Sequence, residues 1–279
     1  MKIAFRGEPG AYSEQAVFEY FGEGEPVSCD SFDDIFDAVT SRECDAGIVP
    51  IENTLAGSIH QNYDLLMRNN LFIVGEYNLR VRHCLIVNPG VKMEQIRTVY
   101  SHPQALRQCA DYLRRHKMKP EEGIDTAGSV KALKKLGALD MASIASRRAA
   151  EIYGMGILEE GIEDDPQNYT RFLAVSPTAT DPAGETKTSI VFTLPNRAGT
   201  LYEAIGVFGS RSLDLTKIES RPLAGTPWDY FFYLDFVGDA RSPQVREALA
   251  ELGKLAPMLR VLGSYARFQI WSSQSRFTN

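Results

Sequence analysis

The chain has 279 residues, 44% of them hydrophobic and 24% charged, so it can bury a substantial core and is long enough for two domains. Its formal net charge of -6 argues against nucleic acid or an anionic membrane as the main partner, because both call for a concentrated basic face. A small molecule is the better expectation. With no apolar run of about eighteen residues and no hydrophobic leader after "MKIAFRGEPG", the expected location is the cytoplasm.

In chain order, the apolar run "KIAF" is followed by the amphipathic "YSEQAVFEYF". Next, "SFDDIFDAVTS" opens on Ser31 with Asp34 three residues on, a capping-box signal, and leads into "AGIVPI". This reads as β-α-β-α-β. The stretch "LFIVGEYNLRVRHCLIVNPG" is long, extended and without helical periodicity, and would carry the chain from one α/β lobe to another. The same grammar then returns: "RTVY" precedes "PQALRQCADYLRRH", and "MASIA" precedes "SRRAAEIY". Such alternation predicts largely parallel sheets covered by helices, in two lobes with a cleft between them. The stretch 176–187, "SPTATDPAGETK", is dense in Pro, Thr, Ala and Gly and reads as a linker. Beyond it, "TSIVFTL", "GTLYEAIGVFGSR", "LDLTKIESRP", "DYFFYLDFVG", "SPQVREALAELGK" and "MLRVLGSYARF" predict strand, helix, strand, strand, helix, strand. That is the βαββαβ unit of a second, ferredoxin-like domain.

Several chemistries find no support. Cys29, Cys44, Cys84 and Cys109 are widely spaced and fit free thiols, and the four histidines offer no metal-ligand pattern. No phosphate-cradling G-x-x-x-x-G-K-[ST] occurs, and the G-x-G starts at Gly22 and Gly154 have Val27 and Glu159 where a third glycine would stand. A G-x-S-x-G elbow is absent. No lysine lies between Lys2 and Lys92, which removes a Schiff base from the first loops.

Ligands of parallel α/β sheets bind beyond the carboxyl ends of strands. Four loops there carry polar groups: "GEPGAYSEQA", "PIENTLAGS", "SHPQALRQC" and "DDPQNYTRF". Each has a bland alternative as a turn or a helix cap, with Ser13 and Ser101 as candidate caps. Together they describe a pocket rich in hydroxyls and amides, suited to binding a polar anion and donating hydrogen bonds to a departing group. His102 sits beside this pocket and is expected to act in local hydrogen bonding at a helix start. His60, His83 and His116 are expected to be structural or exposed, and Asp164 and Asp165 to be solvated loop residues.

These stretches resemble a known set. "GAYSEQA" (10–16), "VPIENTLAGSI" (49–59), "SHPQALRQC" (101–109) and "NYTRF" (168–172) are similar to the signature stretches of prephenate dehydratases. "LPNRAGTLYEAIGVF" (194–208) and "KIESRP" (217–222) resemble the phenylalanine-binding motifs of an attached ACT regulatory domain. The resemblance implies a monofunctional dehydratase with a two-lobed, periplasmic-binding-protein-like catalytic domain over 1–178, its lobes being 1–76 with 170–178 and 77–169. A linker, 179–187, and an ACT domain, 188–270, would follow. It implies conversion of prephenate to phenylpyruvate without cofactor or metal. Thr170 would be the donor to the departing hydroxyl. Asn53, Ser101 and Gln108 would join it in catalysis and substrate orientation. Ser13, Glu52, Thr54, Asn168, Arg171 and Phe172 would bind substrate or support the site, with Glu52 shaping its loop, and Arg171 either meeting a substrate carboxylate or holding the strand end. Asn196, Ala198, Gly199, Thr200 and Leu201, with Glu219, Ser220 and Arg221 across a dimer interface, would bind L-phenylalanine as feedback inhibitor. Self-association through ACT domains, as a dimer or dimer of dimers, is implied too. The competing readings are an arogenate dehydratase, and a sensor or solute-binding module without catalysis.

Overall fold

Residues 2–58 build the first part of a six-stranded sheet. In the computed structural model, which describes residues 1–223 and 229–268, β1 (Lys2–Arg6) is followed by α1 (Tyr12–Phe21), β2 (Glu25–Cys29), α2 (Phe32–Thr40), β3 (Ala46–Asn53) and the short β4 (Gly57–Ser58). The capping box at Ser31 forms: its hydroxyl accepts the Asp34 N–H while the Asp34 carboxylate accepts the Ser31 N–H. Phe32, Ile35, Phe36 and Val39 then fall on one face of α2 and are buried. Residues 46–51 of β3 are buried throughout, as expected of a strand covered on both faces.

The chain continues through α3 (His60–Arg68), β5 (Phe72–Arg80), β6 (Cys84–Val87), β7 (Thr98–Ser101), α4 (Pro103–Gln108), α5 (Ala110–Arg115), β8 (Lys119–Glu122), α6 (Thr126–Leu136), β9 (Met141–Ala145), α7 (Arg147–Tyr153), β10 (Gly156–Glu160) and β11 (Tyr169–Ser176). The first sheet has the order β2-β1-β3-β11-β5 with β4 on β3, and the second β10-β6-β9-β7-β8. Both are flanked by helices, the expected α/β architecture. The second is mixed: β7 runs parallel to β8 and β9, but β6 runs antiparallel to β9 and β10.

The helix expected over 103–116 is broken at Cys109. The Gln108 carbonyl accepts the Asp164 N–H at 2.7 Å, and the Asp164 carboxylate accepts the N–H groups of Asp111 and Tyr112 at 3.1 and 3.3 Å. Asp164 is an exposed loop residue, as expected, and in addition caps the start of α5.

The remaining elements are β12 (Thr186–Thr193), α8 (Thr200–Gly209), β13 (Leu215–Pro222), β14 (Tyr230–Val237), α9 (Pro243–Leu255) and β15 (Leu259–Ala266). They form an antiparallel sheet in the order β13-β14-β12-β15, the βαββαβ arrangement. Strand pairing reaches back to Thr186, inside the stretch read as linker, because Lys187 is buried with its ammonium 2.7 Å from the buried Glu76 carboxylate. Residues 269 and 270, the end of the domain expected over 188–270, lie outside the described residues.

Two compact units divide the chain: Met1–Asn62 with Tyr77–Phe172, and Tyr63–Glu76 with the described residues from Leu173 on. The four cysteines are free thiols. Among the described residues no helix is long and apolar enough to cross a membrane.

Candidate active site

The first unit contains a cleft of about 480 Å³ at the loops that follow β3, β7 and β1 and at the start of β11. Ser13, Asn53, Gln108, Thr170 and Phe172 line it, so the structure brings together five of the residues singled out from sequence, from all four loops.

Asn53 is the hub. It is 5% exposed, at the end of the buried β3. Its Oδ1 accepts the N–H groups of Leu55 and Ala56 at 3.1 and 3.0 Å, so the turn after β3 fixes which end of the amide is oxygen. The Nδ2 must therefore donate, and three acceptors surround it: Asn168 Oδ1 at 2.9 Å, the Tyr169 carbonyl at 3.1 Å and Thr170 Oγ1 at 3.1 Å.

This polarity propagates. With its Oδ1 accepting, Asn168 donates from Nδ2 to Gln108 Oε1 at 3.0 Å. The same Gln108 oxygen lies 2.9 Å from His83 Nε2, which must carry the proton, leaving Nδ1 as an acceptor 2.8 Å from the Tyr12 hydroxyl. Tyr12 also lies 2.9 Å from the Arg82 carbonyl. Burial lowers the His83 pKa and raises that of Tyr12, so this wall of the cleft is neutral. At the other end of the chain, Thr170 accepts from Asn53, and its own proton is left to donate into the cleft.

The remaining expectations divide. Asn168 is fully buried and acts as the link just described. Thr54 does not line the cleft: its hydroxyl donates to the Gln167 carbonyl at 2.8 Å and accepts the Tyr169 N–H at 3.0 Å, clamping the β3 loop to the start of β11. Glu52 is also outside the lining, paired in register with Ser58 of β4. Ser101 is a correction. It is fully buried, and its hydroxyl donates to the Ile144 carbonyl at 2.6 Å, holding β7 to β9 beneath the cleft. It does not cap α4 either; His102 does, its Nδ1 accepting the Gln104 N–H at 3.2 Å. Arg171 is outside the lining: successive strand side chains alternate, and with Thr170 and Phe172 on the cleft, Arg171 stands on the other side, which favours the strand-end role among its two expected ones.

Sequence reasoning missed Tyr12 and His83. His83 is 2% exposed, and neither of its ring partners is near it in sequence. His102 lines the cleft with its pKa lowered by burial and by the Arg6 and Arg107 charges, so it presents a neutral Nε2–H.

In the second unit, a pocket of about 300 Å³ at the N-terminus of α8 is lined by Asn196, Gly199, Thr200 and Leu201, with Tyr230 and Phe232 of β14. Gly199 precedes the helix at φ 92°, a conformation glycine adopts freely. The Thr200 hydroxyl is occupied by the Pro195 and Arg197 carbonyls. Ala198 is exposed and outside the lining. Glu219, Ser220 and Arg221 are on β13, the edge strand, where Arg221 is paired with Asp64 at 2.8 Å.

Residues 3–180 match the family model of prephenate dehydratase. Arogenate dehydratase/prephenate dehydratase 2 of Arabidopsis thaliana is 45% identical over 276 residues, covering 95% of this chain and 72% of that protein. A prephenate dehydratase from Arthrobacter aurescens, solved in complex with L-Phe, is similar with a TM-score of 0.89 at 32% identity, over 96% of this chain and 90% of that one. A structure described as a novel type of quorum quenching acylase reaches the same TM-score and identity over 95% of this chain and 97% of its own.

Proposed function

The chain belongs to the prephenate dehydratase family, and from that premise we propose that it converts prephenate to phenylpyruvate, with Thr170 as the donor to the departing hydroxyl. The observation that carries this is the hydrogen bond from Asn53 Nδ2 to Thr170 Oγ1, which leaves the threonine proton for the cleft.

The reaction breaks two bonds of a non-aromatic ring. The ring carboxylate leaves as carbon dioxide, its bonding pair moves into the ring, and the ring hydroxyl departs with the pair of its C–O bond, drawing from solvent the proton that makes it water. Aromatisation supplies the driving force. Negative charge grows on the departing oxygen, and a donor already aimed there stabilises the transition state more than the ground state. A threonine hydroxyl is too weak an acid to surrender its proton outright, so it acts by hydrogen bonding. Donation from Asn53 onto Oγ1 polarises the O–H and strengthens that bond. Gln108 and Asn168 hold Asn53 in register, and Ser13 and the neutral His102 Nε2–H are further donors for the substrate.

Arogenate shares the ring hydroxyl and ring carboxylate, and the Arabidopsis relative is named for both activities. Arogenate is therefore the alternative substrate. An acylase reading has less support: His83 holds Tyr12 and Gln108, and His102 holds the Gln104 N–H, so neither imidazole activates a serine or threonine hydroxyl.

The pocket at α8 is read as an L-phenylalanine site in an ACT-type domain. A helix N-terminus suits the amino-acid carboxylate, and Tyr230 and Phe232 suit the ring. The Arthrobacter aurescens structure, named as an L-Phe complex, supports this reading. Self-association along the β13 edge would place Glu219 and Ser220 beside a second copy. One assay tests the set: steady-state rates on prephenate and arogenate side by side, with and without saturating L-phenylalanine. Phenylpyruvate formation suppressed by phenylalanine is expected. No product from either substrate would refute the dehydratase reading, and turnover indifferent to phenylalanine would refute the regulatory one.

A further inference from the structure

Both candidate substrates are dicarboxylates, and the cleft beside Thr170 has no lysine or arginine among its described lining residues. For the ring carboxylate this is favourable. Its charge disperses as carbon dioxide leaves, so a cation fixed on it would stabilise the ground state more than the transition state. The side-chain carboxylate keeps its charge throughout, and a cation there anchors substrate at no cost to the chemistry.

One basic group is placed for that task. The cleft continues into a branch of about 600 Å³ that shares seven lining residues with it, Ser13, Gln104, Asp125 and Thr126 among them. Arg6, at the end of β1, is the basic residue among the described lining of this branch. Its guanidinium lies over the Phe32 ring, 4.8 Å from the centroid, which orients the planar fork. It forms no ion pair with a described residue. The nearby acids Glu8 and Asp125 are engaged, Glu8 with Lys131 at 2.9 Å and Asp125 with the Gly128 N–H at 2.6 Å, while Asp30 lines the branch as well. The Arg6 charge is felt at His102 in the cleft wall, where it helps lower the imidazole pKa.

We propose that Arg6 anchors the substrate by its retained side-chain carboxylate, in the branch, which leaves the ring carboxylate in the cation-free cleft beside Thr170. Arg6 takes the role that the sequence offered to Arg171. The proposal rests on the dehydratase reading.

Steady-state kinetics on the full chain test it. Arg6→Gln should raise KM for prephenate by about tenfold or more, corresponding to the loss of a charge-assisted pair, with kcat within about threefold. Arg6→Lys keeps the charge without the fork and should fall between. Added salt should raise the wild-type KM and leave that of Arg6→Gln nearly flat, a dependence that a merely structural role would not produce. An Arg6→Gln KM within about twofold of wild type, or a KM with the wild-type salt dependence, would overturn the assignment while leaving wild-type turnover, and so the dehydratase reading, intact. If Arg6→Gln fails to fold, the Arg6→Lys KM decides: a value unchanged from wild type, with unchanged salt dependence, overturns the fork-specific anchor. Absent wild-type turnover would refute the parent reading instead.

Discussion

His83 illustrates how one buried ring sets the proton pattern of a site. Its Nε2–H donates to Gln108 and its Nδ1 accepts from Tyr12, an arrangement available only to the neutral imidazole. Burial holds its pKa below the usual value of about 6.5. Since the folded pKa is the lower one, the unfolded chain takes up the proton first as pH falls. The stability tied to neutral His83 is fully present above about pH 6.5 and is lost as pH drops through the folded value. Urea unfolding from pH 8 to 4 should therefore show a larger acid loss in the wild type than in His83→Asn, where His102 alone of the two cleft imidazoles titrates. Equal losses would mean that His83 does not titrate in this way. Nothing local in "RVRHCLIV" announces this role, because the ring partners are 71 and 25 residues away. Arg171, by contrast, was legible in principle: once Thr170 faces the cleft, alternation along a strand turns Arg171 away.

The turn between β1 and α1 depends on a backbone that only glycine supplies. Gly10 has φ 92°, and a Cβ there would come 2.6 Å from Ala149 Cα in α7. The turn is docked on α7 from both sides: Ser146 donates to the Gly10 carbonyl at 2.6 Å, and Glu14 accepts the Gly10 N–H at 2.8 Å and the Arg148 Nε at 2.7 Å. Gly10→Ala should cost about 2 kcal/mol or more, from strain and overpacking together. A denaturant midpoint within error of wild type would contradict the close approach. At this scale the sequence was legible where signals are local, as with Ser31 and Asp34 opening α2. It was misleading where a distant group intervenes. The break at Cys109 exists because Asp164 takes the Gln108 carbonyl and caps α5, and neither event leaves a mark in "PQALRQCADYLRRH". Ser101 failed likewise, since which strand carbonyl its hydroxyl meets is decided by the β7–β9 pairing.

Across the molecule, the alternation of strands and helices and the βαββαβ order after it were readable, because hydrophobic periodicity is written locally; the bounds of the compact units were not, since Tyr63–Glu76 groups with the described residues from Leu173 on. The direction of hydrogen bonding in the cleft was not, because it is fixed by contacts spanning the chain: Asn53 and Thr170 are 117 residues apart. Composition suggested a pocket of hydroxyls and amides; the fold arranges them so that each donor is assigned in turn from the Leu55 and Ala56 N–H groups outward. The outcome of that arrangement is that the Thr170 proton is left to donate into the cleft. Steady-state turnover of prephenate by Thr170→Ala tests this most directly. Loss of the donor should lower kcat by about 10² to 10³, the range for removing one preorganised hydrogen bond to a developing oxyanion. KM should change little, and thermal unfolding should stay close to wild type. A kcat within about threefold of wild type would contradict the account, and the departing hydroxyl would need another donor.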